Sequence, residues 1–200
     1  MPAPRLCLAS RSPRRQELLR QVGVEFAVVD VEVDEGRHPD EAPGDYVERV
    51  ALDKARAAQR RHPGVLLLAA DTAVVVDGEV LGKPRDRADG LAMLARLSGR
   101  GHTVMTAVAL VGDGRESSRV NVSRVHFRAI DANERAAYWA TGEPADKAGG
   151  YAIQGRAALF VSQLEGRYSA VMGLPLFETG ELLRAAGLPA GWAAQEQERG

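Results

Sequence analysis

Leu6-Cys7-Leu8-Ala9-Ser10-Arg11-Ser12-Pro13-Arg14-Arg15 runs directly into Gln16-Glu17-Leu18-Leu19. The short apolar run at its start reads as a buried strand. Two serines follow, then Pro13, whose fixed φ and missing N–H suit the first turn of a helix. This predicts a helix over residues 13–22 with Ser12 as its N-cap. Arg14 and Arg15 then fall in the first turn, where the helix dipole disfavours cations. Two arginines beside free backbone N–H groups form a site for an anion, most simply a phosphate. The alternative reading, stronger for Arg15 than for Arg14, is that they only solvate the helix start.

Outward from that turn, the pattern alternates between strands and helices. Residues 24–33 read as a strand that ends in the acidic loop Asp34-Glu35-Gly36, and Asp45 is placed to cap a helix through Arg60. The apolar run of residues 65–70 is short enough to be a central strand that stops at Asp71-Thr72. Residues 73–76 and 79–81 flank Asp77-Gly78, the signature of a tight hairpin. A helix over 86–97 stopped by Gly99 comes next, then a longer hairpin of residues 102–111 and 117–130. Asp131 and Glu134 have capping-box spacing, for a helix that ends at Gly142. Residues 143–155 read as a shaped functional loop, 159–164 and 168–172 as a third hairpin, and Pro175 as the start of a last helix to about residue 186. Strands that both cross over helices and pair in hairpins imply an α/β fold. Its expected form is a mixed elongated sheet with flanking helices and a cleft between two lobes. Residues 1–187 are expected to form one domain, with 188–200, apolar only at Trp192 and a few neighbours, as a flexible tail.

Composition narrows the function. With 200 residues, 45% of them hydrophobic, the chain can bury one sizeable core. A formal net charge of −1 gives no basic field for nucleic acid, so no nucleic-acid partner is required. The single cysteine excludes an internal disulfide and a cysteine metal site, and Cys7 reads as core filling. No apolar run approaches the ~20 residues that span a bilayer, which excludes a membrane helix and makes a cytoplasmic protein the expectation.

Several side chains break the pattern around them. Val47, Val50, Ala51, Ala55 and Ala58 form the apolar stripe of the second helix, and Lys54 falls in its middle. A lysine there must either snorkel to solvent or meet a buried anion. Asp71 closes an apolar strand, where α/β sheets place ligands; it is a metal ligand, a general base, or a cap for the next turn. Lys83, on the turn Leu81-Gly82-Lys83-Pro84, is a candidate phosphate contact. Asp34 and Glu35 have no local basic partner; one of them with Asp71 could hold a hydrated Mg²⁺, or the loop is merely solvated. Gln154 stands in the Gly-rich segment Gly149-Gly150-Tyr151-Ala152-Ile153-Gln154-Gly155, where an amide can both donate to and accept from a nucleobase edge. That segment fits neither a dinucleotide fingerprint nor a P-loop. The four histidines lack metal spacing, and Ser10 and Ser12 have no adjacent base, against a serine hydrolase.

As a set these residues resemble the Maf family of nucleoside triphosphate pyrophosphatases. The blocks that carry the resemblance are Leu8 through Arg15, Lys54-Ala55, Ala70-Asp71-Thr72, Gly78 through Pro84, Leu97-Ser98-Gly99, Asp146 through Gly155, and Gly173-Leu174-Pro175-Leu176. They span the chain from about Leu6 to Leu183. The resemblance implies a fold similar to that of the inosine triphosphate pyrophosphatases. It also implies hydrolysis of a nucleoside triphosphate to its monophosphate and pyrophosphate, with a divalent cation, Mg²⁺ or Mn²⁺, as cofactor. The family's proton acceptor maps onto Asp71. The branch acting on dTTP and UTP has an arginine after Ser-Pro, a threonine after the aspartate, and Tyr-x-Ile-Gln-Gly; here these are Arg14, Thr72 and Gln154. Gly149-Gly150 stands where Ala-Gly-Ala is often found. Taken with the residue reading, Ser10, Arg14, Lys54 and Lys83 are expected to contact the small-molecule triphosphate, Arg15 either does so or stays a solvated helix residue, Asp71 with or without Glu35 holds the metal, and a homodimer fits the family. The competing expectations are a purine or modified nucleotide as substrate, and a non-catalytic regulator that binds nucleotide or nucleic acid.

Overall fold

The computed structural model describes residues 5–188. The opening block folds as its sequence dictates. Strand β1 is Leu6–Leu8, fully buried, and helix α1 is Pro13–Gln21 with the proline in its first turn. Ser12 occupies the cap position but makes no side-chain cap; its own N–H donates to Ser10 Oγ at 3.2 Å instead. The strand expected over 24–33 shrinks to β2, Ala27–Val28. Helix α2 is Pro43–Arg61, starting at Pro43 after Ala42 rather than at Asp45. Asp45 lies inside the first turn, where its charge favours the helix dipole.

The largest departure is β3. It runs unbroken from Leu66 to Val76, so Asp71 sits in mid-strand and not at a strand end. A charged residue in an apolar run reads as a stop only if it has no buried counter-charge, and Asp71 has one. Then come β4 (Glu79–Leu81), α3 (Arg87–Leu97), β5 (Gly101–Gly112), β6 (Arg115–Phe127) and α4 (Ala132–Ala140). The expected Asp-Gly turns join β3 to β4 and β5 to β6, with Asp77 and Asp113 at φ 53° and 51°, conformations aspartate tolerates better than most residues. Asp86 caps α3 by accepting from Asp89 N–H, and the Asp131/Glu134 capping box is present on α4.

Short 3₁₀ turns at Ala148–Gly150 and Arg156–Leu159 shape the following loop, before β7 (Val161–Glu165), α5 (Tyr168–Val171) and α6 (Leu176–Ala185). The expected third hairpin does not form. Residues 161–165 pair antiparallel with β6, and residues 168–171 are a helical turn. All but one residue of the expected tail lie outside the described residues.

The seven strands form one mixed sheet in the order β2-β1-β3-β5-β6-β7, with β4 on β3. Strand β1 is parallel to both β2 and β3, while β4 and β7 run antiparallel to their partners. The fold is therefore α/β with a mixed sheet and flanking helices, and no described helix is long and apolar enough to cross a membrane.

The chain divides into two compact units. One comprises the described residues up to Asp71, Thr106–Asn121 and those from Gly173 on. Its core includes Leu6, Leu8, Leu19, Val47, Val50, Leu67, Leu68 and Leu183; Cys7 is buried there, and burial pushes its thiol up, away from reactivity. The other comprises Thr72–Met105 and Val122–Met172, around a cluster that includes Leu94, Leu97, Val125, Phe127, Tyr138, Tyr151 and Phe160.

Candidate active site

In the first unit, charge gathers around Asp71. Lys54, on the buried face of α2, meets an anion rather than snorkelling. Its Nζ lies 2.8 Å from Asp71 Oδ1 and 2.7 Å from Glu35 Oε1. The Lys54 and Asp71 side chains are only 11% and 10% exposed, whereas Glu35 is 50% exposed. Lys54–Asp71 is therefore a nearly dry ion pair, and Glu35 is its solvent-facing third member. Glu35 thus acquires its basic partner from a distant helix, through folding.

The loop that carries Glu35 is held by α2. Tyr46 Oη donates to the Glu35 carbonyl at 3.0 Å, and Arg49 Nη2 donates to the Gly36 carbonyl at 2.8 Å. Arg49 also pairs with Glu41, whose carboxyl this contact holds down to about 2. Burial, then the charges of Asp71 and Glu35, push the Tyr46 phenol up to about 12, so it remains a donor. Asp34 plays a different part: its Oδ1 accepts from Gly36 N–H at 2.8 Å and closes the turn. Tyr46 and Arg49 were not visible as site residues in the sequence. The only available signal was their place one and two turns before Lys54 on the same helix.

The two arginines of α1 separate. Arg15 is fastened: its Nε donates to the Gly173 carbonyl at 2.7 Å and its Nη1 to Ser10 Oγ at 3.3 Å. Burial lowers its pKa; attraction to Asp71 and Glu35 opposes that, and repulsion from Arg14 adds to it. Arg15 is thus not a solvated helix residue. The structure brings Ser10, Arg15, Lys54, Glu35 and Asp71 together, with Arg14 close enough to Arg15 for their charges to interact.

The second unit carries Thr72, Lys83 and Gln154. Thr72 follows Asp71 directly on β3. Lys83 is exposed on the turn after β4, and that turn is tied to the Gly-rich loop, because Gly149 N–H donates to the Gly82 carbonyl at 2.9 Å. Gly149 has φ +67°, and a Cβ there would stand 2.9 Å from Val74 methyls, so both conformation and space require glycine. In the loop, Tyr151, Ala152 and Ile153 are buried and Gln154 is exposed.

Tyr151 Oη lies 2.7 Å from His102 Nε2. His102 is 2% exposed, and its Nδ1 has no hydrogen-bond partner among the described residues. Burial, with a smaller push from His126, holds this imidazole down to about 4 from an ordinary 6.5. The unfolded chain then takes up a proton at His102 below about pH 6.5 and the folded chain only below about 4. Stability therefore falls as pH drops through that window, by about 3 kcal/mol in all, and is unaffected above it. His102→Gln, which keeps a partner for Tyr151, should flatten that slope. Urea midpoints compared at pH 7 and pH 4.5 check this, and an unchanged slope would assign the acid sensitivity to other groups.

The sequence profile described as Maf-like protein matches residues 5–186. The chain belongs to the Maf family. A dTTP/UTP pyrophosphatase from Alkalilimnicola ehrlichii is 56% identical over 186 residues, covering 90% of this chain and 92% of that protein. Another, from Aromatoleum aromaticum, is 51% identical over 199 residues, covering 92% and 97%. Among solved structures, a nucleoside-triphosphatase / dITP/XTP pyrophosphatase from Mycobacterium abscessus aligns over 92% of this chain and 98% of that one, at 24% identity and a TM-score of 0.43. In this Maf protein the N-terminal block provides two things: a buried strand, and an arginine fastened to a backbone carbonyl 158 residues away.

Proposed function

We propose that this protein hydrolyses dTTP and UTP to the monophosphate and pyrophosphate. The observation that carries the reading is the constellation of Ser10, Arg15, Lys54 and Glu35 around a buried Asp71. Relatives named dTTP/UTP pyrophosphatase, 51% and 56% identical over nine-tenths of the chain, support the substrate.

In the proposed reaction a water oxygen attacks the α-phosphorus. The bond from that phosphorus to the bridging oxygen breaks, and pyrophosphate leaves with the electron pair. Asp71 is the proton acceptor for the attacking water, a task suited to a carboxylate fixed in a dry position. Arg14, Arg15, Lys54 and Lys83 counter the triphosphate charge, which grows on the leaving pyrophosphate, and Ser10 contacts a phosphate oxygen. Thr72 and Gln154 read the pyrimidine.

The residues present fit a divalent cation. Glu35 and Asp71 each place a carboxylate oxygen within 2.8 Å of one cationic nitrogen, so two hard oxygen donors already converge on a single positive charge. No group of three or more candidate ligands occurs among the described residues. A pair of carboxylates suits Mg²⁺ or Mn²⁺, which take few protein carboxylates and complete their shell with substrate phosphate and water. Held by Glu35 and Asp71, such a cation would bind phosphate oxygens and withdraw charge from them. With the cation bound, the Lys54 ammonium would be available to counter the phosphates. We place the protein in the cytoplasm, as a homodimer that needs no nucleic acid.

A panel of triphosphates tests the reading: dTTP, UTP, dCTP, CTP, dGTP, GTP, modified pyrimidines and 7-methyl-GTP, each with Mg²⁺, Mn²⁺ or a chelator. The expected result is equimolar pyrophosphate and monophosphate from dTTP and UTP, lost with the chelator. Preference for a purine would overturn the substrate assignment. Tight binding with no hydrolysis of any triphosphate would make the protein a regulator.

A further inference from the structure

One network in the second unit has no part in the reaction above, yet it surrounds the residue assigned to read the base. Tyr138, buried on α4, donates from Oη to Glu143 Oε1 at 2.6 Å. The phenol oxygen of Tyr138 in turn accepts from Ala152 N–H at 3.1 Å. The other carboxylate oxygen, Glu143 Oε2, accepts from Arg156 N–H at 3.1 Å. Gln154 lies midway between these two fastened amides. Glu143 is itself fixed, since its N–H donates to Thr141 Oγ1, which in turn donates to the Tyr138 carbonyl.

The fit around the carboxylate is close. A Cβ at Gly155 would stand 2.4 Å from Glu143 carboxylate atoms, so Glu143 lies against the backbone right beside Gln154. Burial, then the bond to Glu143, raises the Tyr138 phenol, which keeps it protonated and a donor. A carboxylate with one phenol and one amide donor, touching a glycine, is a rigid bracket.

We propose that Tyr138 and Glu143 are positioning residues for nucleobase choice, which fix the backbone at Ala152 and Arg156 and so aim the exposed amide of Gln154. The inference rests on the reading of Gln154 as the base-reading residue. Neither side chain is assigned any contact with substrate. An exposed glutamine on a free loop would meet many base edges equally well; on a clamped loop it presents its donor and acceptor in one orientation.

The test uses Tyr138→Phe and Glu143→Gln in the full chain. Phenylalanine keeps the buried ring and loses both hydrogen bonds; glutamine keeps the shape but has one acceptor oxygen for two donors. The ratio of kcat/KM for dTTP over dCTP should fall about tenfold in either variant, mainly through KM for dTTP. Hydrolysis of deoxyribose 5-triphosphate, which has no base to read, should change by less than about twofold. In a Gln154→Ala background neither substitution should reduce the dTTP preference further. A structural role alone would slow the abasic and the dTTP reactions alike, and that result would overturn the inference. So would an unchanged dTTP preference in an active variant. If the parent chain hydrolyses no pyrimidine triphosphate, the proposed function itself fails, which separates the two outcomes. Should one variant fail to fold, the other decides.

Discussion

Asp71→Asn will release pyrophosphate from dTTP at least about 10²-fold more slowly than the parent chain, while folding normally. In the proposed reaction the rate effect follows from the loss of a proton acceptor: an amide keeps the shape and one oxygen but cannot take the proton from water. Folding survives because Lys54 retains Glu35 at 2.7 Å, so its ammonium is not left buried and alone. Steady-state kinetics under saturating dTTP, with thermal unfolding as the companion measurement, check both halves. Turnover near that of the parent would remove Asp71 from the chemistry.

The second large effect is expected at Lys54→Met. Methionine matches the lysine stem in length and apolar character, so the substitution isolates the charge. Asp71 would then sit in a nearly dry position without its ammonium, facing Glu35 across the vacated space. Stranding one member of a buried pair costs on the order of 3 kcal/mol, less whatever Glu35 recovers by turning to solvent. Turnover should also drop, because the cation proposed to counter the leaving pyrophosphate is gone. Urea unfolding supplies the diagnostic arm. Added Mg²⁺ should raise the midpoint of this variant more than that of the parent, since the two carboxylates would have lost their internal counter-ion. A variant as stable as its parent, and indifferent to Mg²⁺, would show that the three-membered charge cluster is incidental.

How far these features could be read from sequence depends on the distance over which each is decided. The opening strand and helix, the two Asp-Gly turns and the Asp131/Glu134 capping box are settled by neighbours within a few residues, and all were legible. Lys54 was legible as an anomaly but not as a solution, because its two carboxylates come from a loop and a strand that only folding brings to it. The break expected at Asp71 failed for the same reason. Backbone pairing carries β3 through a charged residue when an ammonium neutralises it. The third hairpin failed because β7 takes its partner from β6, more than thirty residues earlier, rather than from the segment that follows it. The bracket around Gln154 leaves no periodic trace at all: Tyr138 reads as an ordinary core aromatic and Glu143 as a loop acid.

Arg15 has one more consequence. Its guanidinium is oriented by the Gly173 carbonyl, so a segment near the beginning of the chain waits on one near its end. A nascent polypeptide halted before Gly173 would already contain Ser10 and the charged groups Arg14, Arg15, Glu35, Lys54 and Asp71. It would lack the Gly173 carbonyl, which accepts the shorter of the two hydrogen bonds described for Arg15. The orientation of Arg15 is therefore completed late in synthesis, and a fragment that stops before Gly173 is expected to hold this guanidinium less firmly than the full chain does.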